Sequence, residues 1–302
     1  MRKLLKKITD KFLSTSLNKL DKIDNTLENK VLRKSSASTQ ISLYVLYRQL
    51  VSTQNSQKLS FQEVGFREYS QHEEDGILLY IFAIIGITNK KCIEVCAGDG
   101  LECNTTNLIL NHRWIGYLFD GNLENVKRGI DFFAKHPDSK YYPPKFVHAW
   151  ITKDNINQLI LDAGVKGDID LLSLDIDGND YWLLNEISVV NPRVIVLEIN
   201  HLWGDKEAVT TPYDDNFVAE FSKYGSDYAG ASLPAFIKLC REKGYRLVGT
   251  NAIATNAFFV RNDIVHPWLP EIEANQCFNH PRAQFGMETR FLGIKDKNWV
   301  NV

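Results

Sequence analysis

A short apolar run that ends at two glycines limits the fold of this chain more than any other feature. Residues 92–96 have the composition of a buried strand and lead into a turn, Ala-Gly-Asp-Gly, at residues 97–100. Cys103 to Asn111 then predict a helix, and a second apolar run, Trp114 to Phe119, ends in Asp120. The glycines let the backbone approach a ligand, and the helix N-terminus offers unpaired amides. This order of elements is typical of a sheet that binds an adenosine cofactor.

Two details favour S-adenosylmethionine over a dinucleotide. A dinucleotide fingerprint has a third glycine three residues after the second, where this chain has Cys103. Glu94 also places a carboxylate inside the first strand, which suits an ammonium and a sulfonium better than a pyrophosphate. We expect Asp120 to accept hydrogen bonds from the ribose hydroxyls. We expect Glu94 to hold the methionine end, directly or through the Gly98 turn.

Three segments give the chain a resemblance to the FkbM-like S-adenosylmethionine-dependent methyltransferases. They are Ser70 to Gly76, Gly98 to Thr106 with the following Trp114-Ile-Gly, and Asp170 to Gly178. The resemblance covers roughly residues 65–262. The chain departs from the pattern at Cys96, where methyltransferases commonly have glycine, and at Asp177, where this family usually has glutamate.

The resemblance implies a Rossmann-like α/β fold of the class I methyltransferase kind. Its central, mostly parallel, seven-stranded sheet would have the order 3-2-1-4-5-7-6, with an antiparallel hairpin at the C-terminal end. It also implies that Gln71, Glu74 and Asp75 lie near the site.

Apolar runs alternate with helix-like segments from residue 61 onward, which independently predicts a parallel sheet covered on both faces. No helix separates the last two strands, so they must pair as an antiparallel hairpin. The predicted strands are 92–96, 115–119, 146–151, 169–174, 193–199, 245–249 and 257–261. The predicted helices are 73–85, one from Asn104, 122–135, 154–163, one from Asn179, and 233–243, with Asn122 and Asp154 as caps.

Size and composition exclude several classes of protein. The 302 residues suffice for one large α/β domain with extensions, and a net charge of −2 argues against a nucleic-acid binder. Five cysteines form no C-x-x-C pair, which suits a reducing compartment, and Cys92, Cys96 and Cys103 are interpreted as small core residues. Neither a secretory signal nor a membrane-length apolar run is present, so we expect a cytoplasmic protein.

Residues 1–40 form a basic extension, with ten Lys or Arg against four Asp or Glu. Apolar residues at helical spacing allow three interpretations: an amphipathic helix at the periphery of a membrane, a short coiled coil for self-association, or a solvated helix that caps the domain. Ser35 to Gln40 is interpreted as a linker. The methyltransferase domain would span residues 41–302, with an acceptor-binding insertion at about residues 200–230.

Residues that follow the parallel strands are the candidate site, because ligands of such sheets bind at the carboxyl ends of the strands. The backbone amides of Asn104 and Thr105 would contact a cofactor carboxylate or only cap their helix. The candidate cofactor-binding residues are Glu94, Ala97, Gly98, Asp99, Gly100, Asn104, Thr105, Asp120, Gly121, Asn122 and Thr152.

The candidate catalytic residues are Asp175, Asp177 and His201. Methyl transfer to a hydroxyl requires loss of its proton, so one of these residues would act as a base. Alternatively, Asp175, Asp177, Glu198 and His201 would hold Mg²⁺, or Asp177 and Asp180 would only cap the next helix.

The segment from His201 to Gly230 is too long for an ordinary connection, and its aromatic residues predict either an acceptor-binding lid or a packed insertion. The candidate acceptor-binding residues are Gln71, Glu198, Asn200, Tyr213 and Tyr228. The predicted function is O-methylation of a sugar, sugar nucleotide or other polar metabolite in polysaccharide or natural-product biosynthesis. The alternatives are N-methylation, an oxidoreductase on the same sheet, and a non-catalytic scaffold that binds S-adenosylmethionine.

Overall fold

The computed structural model describes residues 33–53, 57–222 and 225–302, in two compact units divided after Ser52. In the first unit, helix α1 (Arg33–Ser52) runs through residues 35–40, so the linker prediction is wrong. The polar side chains there bond within the helix, as in the 2.9 Å bond from Gln40 Nε2 to Ser36 Oγ. The interpretations of the basic extension fall mostly on residues 1–32, outside the described residues, and stay predictions.

The second unit is an α/β domain. Its first half contains α2 (Phe61–Val64), α3 (Glu74–Ile85), β1 (Lys91–Val95), α4 (Thr106–His112), β2 (Ile115–Asp120), α5 (Leu123–Lys135), β3 (Lys145–His148) and α6 (Ile156–Asp162). Its second half contains β4 (Gly167–Leu174), α7 (Asp180–Glu186), β5 (Val190–Glu198), β6 (Val209–Thr210), β7 (Glu220–Ser222), β8 (Gly225–Tyr228), α8 (Leu233–Glu242), β9 (Tyr245–Thr250), β10 (Asn256–Arg261), α9 (Pro281–Thr289) and β11 (Val300–Asn301). No described helix is long and apolar enough to cross a membrane.

Seven strands form the central sheet, in the order β3-β2-β1-β4-β5-β10-β9. Strands β1 to β5 are parallel, and β10 pairs antiparallel with both β5 and β9. The short strands β6, β7 and β8 intervene in the chain and alter only the numbering, so the predicted arrangement of a parallel sheet closed by a hairpin is confirmed. This is the arrangement that the resemblance to the class I methyltransferases implies.

Both faces of the sheet are covered. On one face, Ile93 and Val95 of β1 join an apolar cluster with residues of α6, α7 and α8. Cys92 and Glu94 point to the opposite face, because side chains alternate along a strand. Helix α3 is buried nearly all round, with residues 77–84 each at most 8% exposed, as its apolar sequence predicted.

The ends of two elements differ from the prediction. Strand β3 ends at His148, and α6 begins after Asn155, which takes the capping position predicted for Asp154. Asn155 Oδ1 accepts a 2.9 Å bond from Thr152 N, which closes a local turn where the strand was expected to continue. Asn122 caps α5 as predicted, with Oδ1 accepting from the amides of Glu124 and Asn125.

A buried ion pair fixes the end of the sheet opposite the candidate site. The Asp170 carboxylate accepts bonds from Thr88, Asn89 and Lys90 amides and a 3.0 Å bond from Arg193. Arg193 also donates to two carbonyls at the end of α3. Burial alone would raise the pKa of Asp170, but its hydrogen bonds hold that pKa below its usual value.

We expect Arg193→Met to lower the free energy of unfolding by about 3 kcal/mol, because it leaves a buried carboxylate without its cation. Arg241→Met removes the exposed pair with Glu271 and should cost less than about 1 kcal/mol. Urea denaturation of both variants measures the difference. Equal losses in the two variants would contradict the role assigned to the buried pair.

Candidate active site

The parallel register places the predicted residues along one edge of the sheet. Val95 of β1 pairs with Phe119 of β2 and with Leu174 of β4, and Leu174 pairs with Leu197 of β5. The residues that follow these strands therefore lie side by side. Two neighbouring compartments open at this edge, and both use the turn of residues 175–179 that follows β4.

The two glycines of the turn after β1 serve different purposes. Both have positive φ, 57° at Gly98 and 74° at Gly100, which favours glycine. A Cβ at Gly98 would meet nothing within 4 Å, so the backbone there is open to a ligand. A Cβ at Gly100 would lie 2.9 Å from the Phe133 ring, so this glycine is required by packing. Asp99 faces α5 and pairs with Arg128 at 3.3 Å.

Asp120 holds the ends of β1 and β2 together. Its Oδ2 accepts a 2.8 Å bond from Gly98 N, and its Oδ1 accepts a 2.8 Å bond from Asn122 N. The side chain is only 3% exposed. Asp120 therefore positions the glycine turn, and the ribose contact stays a prediction.

Glu94 bonds with the protein itself. Its carboxylate accepts from the amides of Asn104 (2.9 Å) and Thr105 (2.8 Å), and also from the hydroxyls of Thr105 and Ser173. Burial raises the pKa of Glu94. While these bonds hold, neither amide is free for a cofactor carboxylate, contrary to the expectation for Asn104 and Thr105. Glu94 acts on the site by anchoring the segment before α4.

Cys96 is exposed, so its interpretation as a core residue is wrong, whereas Cys92 and Cys103 are buried as predicted. The reason is the backbone: Cys96 leaves β1 with a φ of 65°. This conformation explains why glycine is common at this position. The turned backbone places Cys96 in the first compartment.

The first compartment is a mostly apolar cavity of about 130 Å³. Asn179 is its one buried polar side chain whose Oδ1 has no hydrogen-bond partner among the residues described, although its Nδ2 donates to Asp214 O at 2.8 Å. The residues that line the cavity are Cys96, Gly121, Ala149, Trp150, Ile151, Ile176, Asn179, Asp215 and Phe217.

Of this lining, the sequence predicted only Gly121 as a site residue. The predicted Asn122 and Thr152 lie beside the cavity, and each is bonded in a cap or turn. The aromatic residues Trp150 and Phe217 follow no motif, so their sequence carried no signal.

The second compartment is a polar cavity of about 280 Å³ between the ends of β4 and β5 and helix α9. It brings together Asp175, Asp177, Glu198 and His201, as predicted, with Gln71 at its edge. One oxygen from each of the three acids lies within 4.8 Å of the others, a spacing that suits a divalent cation.

Asp180 shapes the turn that carries these acids. Its Oδ1 accepts from Ile176 N at 2.8 Å and its Oδ2 from Gly178 N at 2.9 Å. Asp177 sits at the centre of the turn with a φ of 54°, a conformation that aspartate adopts more readily than most residues. Asp180 therefore holds the turn that precedes the helix, whose capping position is taken by Asn179, while Asp177 lines the cavity.

Asp175 and Glu198 both have a raised pKa. Burial, with the charges of Asp180 and Asp177, raises the pKa of Asp175 to about 7. Burial and the Asp175 charge also raise the pKa of Glu198 well above its usual value. Two carboxyls this close share a proton near neutral pH. A metal ion can take the place of that proton, and the carboxylate that releases the proton can act as a base.

His201 is a weak base in this structure. Burial, followed by the charge of Arg290, lowers the pKa of its imidazole to about 4. The ring lies against α9, where a Cβ at Gly286 would be 2.7 Å from His201 Nε2. Neutral His201 can form a hydrogen bond in the cavity, but of the candidate bases the acids fit better.

Several predicted acceptor-binding residues form hydrogen bonds or packing contacts with other parts of the protein. Asn200 lines the cavity, but its Nδ2 donates to the carbonyls of Asp227 and Ala229. The Tyr213 hydroxyl bonds to Asp215, and the Tyr228 ring packs on Trp299; neither tyrosine lines the polar cavity.

These contacts favour the packed-insertion interpretation of residues 201–230 for the residues that the structure describes. Instead, the polar cavity is completed by His72, Arg282 and Arg290, which the sequence did not predict. Both arginines follow residue 262, beyond the segment that carries the resemblance.

We expect stability to fall as the pH rises from 5 to 7 in EDTA. The raised pKa of Asp175 lets the folded state keep a proton that the unfolded state has released, so unfolding becomes easier through this window. Glu198→Gln removes a second carboxyl that keeps its proton in the folded state, so the loss should be smaller by about 1 kcal/mol per pH unit.

Urea denaturation at three pH values measures this slope. Glu242→Gln, on the exposed face of α8, is the matched control and should keep the parent slope. An unchanged slope in Glu198→Gln would contradict proton sharing by the pair.

Comparison with known proteins gives distant structural likenesses and one sequence family. No curated protein matches the chain. Similar solved structures include an S-adenosylmethionine-dependent methyltransferase from Clostridium acetobutylicum ATCC 824, with 10% identity, a TM-score of 0.41 and coverage of 65% of this chain and 92% of that chain. Another is a putative caffeoyl-CoA O-methyltransferase from Staphylococcus aureus, with 11% identity, a TM-score of 0.41 and coverage of 81% and 99%. Similarity this distant says nothing about substrate.

The match to a sequence family covers several residues of the site. Residues 101–247 match the family described as Methyltransferase FkbM domain. The matched segment includes Asp120, Asp175, Asp177 and Glu198. Residues 101–247 are thus similar to the FkbM methyltransferase domain family, in agreement with the resemblance found in the sequence.

Proposed function

We propose that this chain is an S-adenosylmethionine-dependent methyltransferase that acts on a hydroxyl of a polar small molecule. The observation that carries the proposal is the shared turn of residues 175–179. Ile176 and Asn179 line the apolar compartment, while Asp175 and Asp177 line the polar one. A cofactor in the first compartment would thus adjoin an acceptor in the second.

The first compartment fits an adenosine group. Trp150, Ile176 and Phe217 offer apolar and aromatic surface for a purine. The unpartnered Asn179 Oδ1 is a hydrogen-bond acceptor, which suits the exocyclic amine of adenine. Gly98 leaves open space for the rest of the cofactor. When bound, S-adenosylmethionine supplies an electrophilic methyl group.

The chain's own residues would handle the acceptor's proton. A hydroxyl must lose its proton as its oxygen is methylated, and that proton would move to a carboxylate oxygen of Asp175. A pKa of about 7 suits a base that works at neutral pH. The alternative is that Asp175, Asp177 and Glu198 hold Mg²⁺, which would make the bound hydroxyl more acidic.

The acceptor class is proposed from the lining of the cavity. Gln71, His72 and Thr255 add hydrogen-bonding groups to the acids, so a sugar, sugar nucleotide or similar polyol is the best match. A place in polysaccharide or natural-product biosynthesis in the cytoplasm is part of the same proposal. Contact with a membrane or self-association through residues 1–40 is proposed from the basic sequence alone.

The cofactor proposal predicts that the parent chain binds S-adenosylhomocysteine and shows no measurable affinity for NAD. Asn179→Ala should weaken S-adenosylhomocysteine about 10-fold, because it removes one hydrogen bond in a buried site. Asn185→Ala, on the exposed part of α7, should bind as the parent does. Isothermal titration calorimetry measures each affinity. Tighter binding of NAD would overturn the proposal.

The chemistry at β4 predicts separate results for a base and for a metal. Asp175→Asn should keep S-adenosylhomocysteine affinity and lower kcat by about 10²- to 10⁴-fold, and parent kcat/KM should rise as the pH passes about 7. Transfer of label from [methyl-³H]S-adenosylmethionine to a small-metabolite extract measures activity.

EDTA distinguishes the two roles. Loss of parent activity in EDTA with recovery in Mg²⁺ assigns the three acids to metal binding, whereas insensitivity to EDTA favours the base. Full activity of both Asp175→Asn and Asp177→Asn would contradict both roles.

A further inference from the structure

Helix α9 brings two arginines to the acceptor cavity from outside the matched family segment. Arg282 lies in its first turn and Arg290 directly follows its last residue, and both line the cavity. The helix rests on the turn of residues 201–203, with Gly286 against His201. The family match ends at residue 247, so this wall lies outside the matched segment.

The two arginines have different surroundings. Arg290 Nε donates to Asp227 Oδ1 at 2.8 Å, so its guanidinium is held by the protein. The Arg282 side chain is exposed and has neither a hydrogen bond nor an ion pair among the described residues. Its guanidinium is therefore available to a ligand in the cavity.

The position of Arg282 has no explanation in the stability of its helix. The N-terminus of a helix carries partial positive charge, so a cation in the first turn is unfavourable there. The first turn of α9 holds no acid to offset it. The same partial charge adds to the attraction for an anion near Arg282.

The cavity thus has two chemically different sets of side chains: the acids Asp175, Asp177 and Glu198 from the sheet, and the arginines from α9. Both arginines are near enough to His201 to help lower its pKa. Guanidinium groups bind phosphate and carboxylate through paired hydrogen bonds. A neutral polyol would leave Arg282 unused.

We propose that the methyl acceptor carries an anionic group, a phosphate or a carboxylate, which Arg282 binds while the reacting hydroxyl lies at Asp175 and Asp177. This inference rests on the methyl transfer proposed above, which makes the cavity an acceptor site. It narrows the acceptor from polar metabolites in general to sugar phosphates, sugar nucleotides or acidic sugars.

Calorimetry with four probes tests the inference: inorganic phosphate, glucose 1-phosphate, glucuronate and, as the neutral match, glucose. Each is titrated into the full chain with and without S-adenosylhomocysteine. At least one anion should bind more tightly than glucose, and Arg282→Gln should weaken it about 10-fold, because a charged hydrogen-bond partner is lost. Arg282→Lys should restore part of the affinity. Arg241→Gln, an exposed arginine on α8 away from the cavity, should have no effect.

The four titrations distinguish phosphate from carboxylate as the bound anion. They also test the anion proposal and the cofactor proposal separately. Tighter binding of glucose 1-phosphate than of inorganic phosphate would show that the sugar contributes, and a preference for glucuronate would identify the carboxylate. No binding of any anion by the parent, or unchanged anion affinity in Arg282→Gln, would overturn the inference. Anion binding that depends on Arg282 in a chain that does not bind S-adenosylhomocysteine would support the anion site and overturn the cofactor proposal.

Discussion

Backbone pairing of β1 with both β2 and β4 decides where the functional side chains of this protein lie. With Val95 opposite Phe119 and Leu174, the glycine turn, Asp120 and the acids after β4 must end at one edge. A shift of one residue in either pairing would turn Glu94 and Asp120 toward the other face. The buried carboxylates then reinforce the same alignment, since Asp120 bonds to the end of β1 and Glu94 to the start of α4.

Features that follow from hydrophobic periodicity, or from residues with special backbone preferences such as glycine, could be predicted from the sequence. Apolar runs located the strands, the missing helix before β10 predicted the antiparallel hairpin, and the glycine pair located the turn after β1. The hydrogen-bond partners of polar side chains could not be predicted in this way. Glu94 was expected to face a cofactor because a strand acid carries no sign of the amides that fold back onto it. Cys96 was expected inside because a positive φ is invisible in composition.

Contacts between residues that are far apart in the sequence could not be predicted either. Trp150 and Phe217 meet in one compartment although 67 residues separate them in sequence, and neither belongs to a motif. Arg282 and Arg290 reach the cavity only because α9 packs on the turn after β5. The aromatic insertion is likewise held from a distance, since its Trp203 and Tyr228 contact Trp299. A single sequence records each of these residues but not which surface each one meets.

The hydrogen atom that serves as the side chain of Gly286 has a consequence for how this site can change. It lets α9 approach to where a methyl group would collide with His201 Nε2 at 2.7 Å. A larger residue there would displace either the His201 ring or the helix, and both border the cavity. The shape of the cavity is thus set partly at a position that does not line it. A change in the shape of the cavity can begin at this one contact, with the acids at the sheet edge left in place.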